Sequence, residues 1–312
     1  MKCAVIDIGS NSLRLTAYDV NGLNFKTLFR EKNMAGLAGY VDHGELSMEG
    51  ILCAESALLG FRETLAALGI GNVSVFATAS LRNISNSAEA VDALKKSTGF
   101  EIEVISGEEE AHMSYSGAML DLHLIQEGAF VDIGGASTEI IAFSDYRPTG
   151  FVSYRIGSLN LYKRCVRRLL PGKKAAARIT CAIDAELEKD SSFHFAHRSP
   201  LICVGGTART VLKIAQVLFH LPEGCRTVSA RQVNEILDFM LTNKKKAARL
   251  ILRVAPDRIH TIIPGTLLLC RILHLFQSSE IIVSNYGVRE GYLCKKIIQP
   301  QLAGMHTRKT EN

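Results

Sequence analysis

A chain of 312 residues, 47% of them hydrophobic, holds enough apolar material for one large core or two of ordinary domain size, and two domains are expected. The formal charge of +5 is a mild basic excess, compatible with a polyanionic ligand and too small to require one. Asp7, Ser10 and Asn11 interrupt the opening apolar run before it reaches the length of a secretory signal, no apolar stretch suffices to span a bilayer, and the eight cysteines include no CxxC pair, so a cytoplasmic protein with reduced thiols and no membrane partner is expected.

In chain order, Lys2 to Ile8, Ser12 to Val20 and Leu23 to Arg30 are extended runs separated by glycine turns, an opening β-meander. Ser47 to Leu68 carries apolar residues at helical spacing (Ile51, Ala54, Leu58, Phe61, Leu65), with Gly69 as a stop. A strand over Asn72 to Thr78, a helix over Ser87 to Lys96 ending near Gly99, and a strand over Ile102 to Ile105 complete an α/β alternation. From Phe130 the plan restarts. Helical patterns dominate beyond Ser158, with strands at Leu201 to Val204 and Glu280 to Val283, a last helix from Tyr286 to about Gln299, and a polar tail over Gly304 to Asn312.

The restart is an internal repeat. Val5-Ile-Asp-Ile-Gly-Ser-Asn-Ser-Leu-Arg-Leu and Phe130-Val-Asp-Ile-Gly-Gly-Ala-Ser-Thr-Glu-Ile share spacing, so that Asp7 answers Asp132, Gly9 answers Gly134 and Ser12 answers Ser137. Each copy is a strand carrying an aspartate, then a glycine-rich turn whose N–H groups could cradle phosphate, then a second strand. One copy alone is equally well an ordinary hairpin turn; two in corresponding places favour a site. No P-loop or dinucleotide-binding fingerprint is present. A third turn, Gly205-Gly206-Thr207, leads from a strand into a helical pattern beginning at Ala208, where an anion site and a plain turn capped by Thr207 compete.

Six segments in order carry a family resemblance: Asp7-Ile-Gly-Ser-Asn-Ser, Ala77-Thr-Ala-Ser-Leu-Arg82, Ile105-Ser-Gly-Glu-Glu-Glu-Ala111, Asp132-Ile-Gly-Gly-Ala-Ser-Thr-Glu139, Gly205-Gly-Thr-Ala-Arg209 and Gly287-Val-Arg-Glu-Gly291. From end to end the sequence resembles the Ppx/GppA phosphatases, in a short two-domain form. The resemblance implies an α/β fold of two ribonuclease-H-like domains with an inter-domain active cleft, in the superfamily of actin, sugar kinases and heat-shock ATPases. Residues 1–122, joined by 293–312, and residues 123–292 are the expected domains. It implies an exopolyphosphatase that hydrolyses the terminal phosphate of inorganic polyphosphate with Mg2+ or another divalent cation. Guanosine pentaphosphate (pppGpp) is the alternative substrate, and a non-catalytic phosphate sensor is the alternative of another class. A homodimer is also carried over from the family, and no nucleic-acid partner is expected.

By residue, the resemblance makes Glu110 the carboxylate that orients or deprotonates the attacking water and Arg82 the cation that stabilises substrate charge. Asp132 and Glu139 become metal ligands. Asp7, Gly9, Asn11, Ser12, Arg14, Gly134, Gly135, Ser137, Gly205, Gly206 and Thr207 become the phosphate cradle. Helix geometry separates part of the acidic run without the family: Ser106 as N-cap puts Glu109 at N3 of a capping box, and leaves Glu108 as a first-turn charge. Read without the family, Glu139 could equally be an exposed strand residue paired with a lysine. Ala136 stands where the family usually has a third glycine, and strain is expected there if the position needs φ > 0; residues 34 to 39 also depart from the usual pattern. Two basic segments, around 163 to 178 and 244 to 249, are either solvated helix faces or a track for a polyanion.

Overall fold

A computed structural model describes residues 1–189 and 193–300. It has two compact units, Met1–Gly117 together with the chain from Val288 onward, and Ala118–Gly287. The expected polar tail over residues 304–312 lies outside the described residues.

The first unit opens with the meander β1 (Lys2–Ile8), β2 (Leu13–Asn21) and β3 (Asn24–Asn33), antiparallel throughout. A minimal hairpin, β4 (Val41–Asp42) and β5 (Glu45–Leu46), precedes helix α1 (Met48–Ala67). The Ser47 hydroxyl accepts from the Gly50 N–H at 3.3 Å at its start, and Gly69, at φ +64°, follows its end, as glycine allows. Then come β6 (Val73–Ala77), α2 (Ala79–Arg82), α3 (Ser87–Thr98), β7 (Ile102–Val104) and α4 (Gly107–Met119). The sheet order is β3-β2-β1-β6-β7, with β1, β6 and β7 parallel. Strand β1 is buried on both faces: Ala4, Ile6 and Ile8 pack with Leu58 and Phe61 of α1, and Cys3 and Val5 with Met113 of α4.

The second unit repeats the plan with β8 (Gly128–Ile133), β9 (Thr138–Ser144) and β10 (Arg147–Tyr154), followed by α5 (Ser158–Cys165), α6 (Lys173–Leu187), β11 (Leu201–Val204) and α7 (Gly205–Leu218). It continues through β12 (Thr227–Ser229), α8 (Ala230–Thr242), α9 (Lys244–Val254), a 3-10 turn at Pro256–Arg258, α10 (Ile262–Leu275) and β13 (Glu280–Val283). Its sheet order, β10-β9-β8-β11-β13-β12, is the first unit's order with β12 added antiparallel at the edge. Both sheets are mixed, an antiparallel meander continued by parallel strands.

Three local expectations need correction. Strand β12 is absent from the sequence reading, because three residues with one buried side chain, Val228, show no alternation to read. Helix α7 begins at Gly205 with Val204 as its N-cap, so the glycines form its first turn, and the start at Ala208 is three residues late. The last helix is α11 (Val288–Tyr292) running into a π-helical stretch, Leu293–Ile298, where one regular helix from Tyr286 is expected. The wider turn puts Leu293, Ile297 and Ile298, four and five residues apart, into the core together.

All eight cysteines are free thiols, and Cys181 is exposed, unlike the core thiols expected. Burial pushes the Cys3 thiol up to about 11 and the Cys270 thiol up to about 12. No helix among the described residues is long and apolar enough to cross a membrane.

Candidate active site

The two repeated turns close alike. In the first unit the Gly9 N–H donates to the Ser12 carbonyl at 3.2 Å; in the second the Gly134 N–H donates to the Ser137 carbonyl at 3.0 Å. A Cβ added at Gly9 would lie 3.0 Å from the Ser12 oxygen, and one at Gly134 would lie 3.1 Å from the Ser137 oxygen, so both turns fold too tightly for an easy side chain. The strands leaving each turn set the same register: Asp7 opposes Arg14 and Asp132 opposes Glu139. Directly opposed residues share a sheet face. The repeated scaffold therefore presents an aspartate beside a cation in one unit, and an aspartate beside a second carboxylate in the other.

Around the first turn, Arg14 Nε donates to the Ser12 hydroxyl at 3.3 Å. The Asn11 carbonyl accepts from Gly36 N–H at 3.1 Å and the Ser10 carbonyl from Ala38 N–H at 2.9 Å, so the divergent segment at 34 to 39 braces this turn. The Asn11 amide nitrogen is buried with no hydrogen-bond partner, a donor that water no longer reaches.

In the same unit, Arg82 ends α2 and Glu110 lies in the first turn of α4. Arg82 Nη1 donates to Glu110 Oε2 at 2.7 Å and to the Ile105 carbonyl at 3.1 Å. Glu110 is 9% exposed. Its neighbour Glu109 makes the expected capping box: the Ser106 hydroxyl accepts from Glu109 N–H at 3.1 Å, and Glu109 Oε2 accepts from Ser106 N–H at 3.0 Å. These bonds, the one from the Ser106 backbone first, hold the Glu109 carboxyl below its ordinary range.

In the second unit, Glu139 is 1% exposed and accepts from the Ser153 hydroxyl at 3.1 Å, so the exposed lysine-paired alternative does not hold. Gly205 has φ +82°, and an added Cβ would stand 2.7 Å from Asp132 Oδ1. The glycine thus serves both the left-handed backbone and the space over the aspartate. Thr207 is 2% exposed and lies against Gly265 of α10, where an added Cβ would reach its hydroxyl oxygen at 2.6 Å. The second turn is held from beneath by the β10–α5 junction: Leu159 N–H donates to the Gly135 carbonyl at 2.9 Å, and the Asn160 amide to the Ala136 carbonyl at 3.0 Å.

Sequence reading missed Arg258. A Cβ on Gly206 would fall onto its guanidinium, so the group covers the first turn of α7. It is 8% exposed, burial lowers its pKa, and Asp257 Oδ2 is 3.6 Å from Nε. A buried cation at the positive end of a helix is unfavourable unless an anion joins it. The available signal was a charged pair, Asp257-Arg258, set in the turn before the apolar helix α10.

The family model described as the Ppx/GppA phosphatase family matches residues 16–299. The chain belongs to the Ppx/GppA phosphatase family. Membership makes it a phosphoanhydride hydrolase. Exopolyphosphatase 1 of Mycobacterium tuberculosis is 24% identical over 314 residues, covering 95% of this chain and 88% of that protein. Among solved structures, an exopolyphosphatase from Cytophaga hutchinsonii superposes with a TM-score of 0.82 at 23% identity, covering 94% of this chain and 96% of the other. The Aquifex aeolicus PPX-GPPA enzyme gives 0.73 at 24% identity, with 95% and 99% covered. In this Ppx/GppA phosphatase Ala136 is not among the residues with positive φ, so the alanine brings no left-handed strain.

Proposed function

We propose that this chain is an exopolyphosphatase that removes the terminal phosphate of inorganic polyphosphate by direct water attack. The observation that carries the reading is Glu110, a nearly buried carboxylate oriented at 2.7 Å by Arg82. Water is a poor nucleophile, and a positioned carboxylate that accepts its proton contributes about 10²–10⁴-fold. The water oxygen bonds to the terminal phosphorus, the bridging P–O bond breaks, the shortened chain leaves on its oxygen, and the water proton passes to Glu110. Arg82 shifts from Glu110 toward the phosphoryl oxygens as charge develops there, and a guanidinium serves both partners through its several donors.

The N–H groups of the turns at Gly9–Ser12 and Gly134–Ser137 and the Arg14 guanidinium suit phosphate oxygens. The first turn of α7, at Gly205 and Gly206, adds helix N-terminal donors beside Arg258. Asp132 and Glu139 fit a divalent cation: magnesium takes one or two carboxylates and completes its shell with water and phosphate oxygens, and Gly205 leaves the Asp132 carboxylate uncrowded. Such a cation supplies positive charge to phosphate oxygens when bound.

The test compares phosphate release from long-chain polyphosphate, guanosine pentaphosphate and ATP with magnesium. Fastest release from polyphosphate is expected; a higher kcat/KM for guanosine pentaphosphate would replace the proposed substrate.

A further inference from the structure

The chain's positive charge is concentrated in two stretches of the second unit. Residues 162 to 178 contain seven lysines and arginines and no acid; residues 241 to 256 contain five and no acid. Those twelve cations exceed the whole-chain excess of +5, so the rest of the chain is net acidic. The fold brings the two stretches together. An added Cβ on Gly172, the residue before α6, would lie 2.9 Å from Lys244 Nζ at the start of α9. Lys173 and Lys174 therefore adjoin the run 244–246, and all five are exposed. Among the described residues, no carboxylate pairs with Arg167, Arg168, Lys173, Lys174 or any of Lys244–Lys246. Two lysine-rich segments at one place repel each other, a cost that an anion laid across them would remove.

The surface also continues toward the phosphate turns. Arg258 covers Gly206, and two residues on His260 Nδ1 lies 3.0 Å from the Tyr162 hydroxyl, which in turn donates to the Arg168 carbonyl at 3.2 Å. From Arg168 the chain passes Gly172 and reaches the Lys244 contact. This continuity suits a long linear polyanion better than a single phosphate. Proteins that hold single-stranded nucleic acid place exposed aromatic rings among their cations to stack the bases. The only aromatic residue in either stretch is Tyr162, and its ring and hydroxyl are engaged with His260.

We propose that the surface formed by Arg167, Arg168, Lys173, Lys174 and Lys244–Lys246 holds the distal phosphates of a long inorganic polyphosphate chain and thereby sets a preference for long chains. The proposal rests on the exopolyphosphatase reading, and its test separates the two. Two full-length variants are compared with wild type, R167Q/R168Q/K173Q/K174Q and K244Q/K245Q/K246Q, all at exposed positions. Each is expected to raise KM for long-chain polyphosphate about tenfold or more with kcat unchanged, and to leave tripolyphosphate kinetics unaltered. The dependence of log KM on log salt flattens by roughly 0.7 per neutralised contact, taking the single-strand nucleic-acid coefficient as a guide.

The same glutamine substitutions made together with Glu110→Gln are tested for direct binding of long-chain polyphosphate. Weaker binding by the glutamine variants supports the surface even if no protein releases phosphate, an outcome that would sink only the exopolyphosphatase reading. Equal binding and equal long-chain KM in wild type and both variants would overturn the proposal. So would single-stranded RNA of matched charge binding more tightly than polyphosphate at the same salt, since the surface would then belong to nucleic acid.

Discussion

Glu110 and Arg82 are 28 residues apart in sequence, yet neither functions alone in this account. The guanidinium at 2.7 Å fixes the orientation of the carboxylate. At Gly205 two demands coincide, a left-handed φ and free space over Asp132. Gly205→Ala is expected to destabilise the protein by about 1–2 kcal/mol through backbone strain, and also to raise the magnesium concentration needed for half-maximal activity. A thermal melt and a magnesium titration of activity check both parts; unchanged magnesium dependence would remove Asp132 from the cation's donors. The sequence motif named Asp132, Glu139 and Glu110 but could not show Arg82 bonded to Glu110, because a pair between two helix ends leaves no periodic trace. Arg258 was missed because Gly206, which it covers, lies in a distant segment of the chain.

Helix α4 carries Glu110, and its position depends on how it is capped and what crosses it. Ser106 and Glu109 close its start reciprocally, so Ser106→Ala is expected to cost about 1 kcal/mol at neutral pH. Because the Glu109 carboxyl is depressed in the folded state, its contribution is present above the unfolded carboxylate value and is lost as pH falls through the folded value. The stability gap between wild type and Glu109→Gln, followed by denaturant unfolding, should accordingly shrink below about pH 4. One turn after Glu110, Met113 meets α11: a Cβ on Gly291 would overlap the Met113 carbonyl, which is backbone and cannot swing aside. Gly291→Ala should destabilise by about 1–3 kcal/mol or more, and lower kcat in the fraction that folds, through displacement of α4. Full activity and stability in that variant would show that the crossing does not set Glu110. The capping box was legible because its four residues are contiguous; the crossing was not, because Gly291 and Met113 come from distant segments.

At the scale of the whole chain, the duplicated motif reports a duplicated fold. The first meander was readable from extended runs separated by glycine turns and the second from the repeat of its motif, and their matching turns, registers and sheet orders show that the resemblance extends beyond sequence spacing. The copies differ at one register position, which Arg14 occupies in the first unit and Glu139 in the second. Edge strand β12 and the π-helical stretch at Leu293–Ile298 were illegible, since the first is too short for a pattern and the second follows packing demands that helical periodicity does not encode.

The most direct test of water activation by Glu110 is the kcat for phosphate release from polyphosphate by Glu110→Gln, measured beside Glu108→Gln and Glu109→Gln. The account predicts a fall of about 10²–10⁴-fold for the first, with the two neighbours within a few-fold of wild type. A Glu110→Gln protein that turns over at the wild-type rate, or a neighbour whose loss is equally severe, would contradict it.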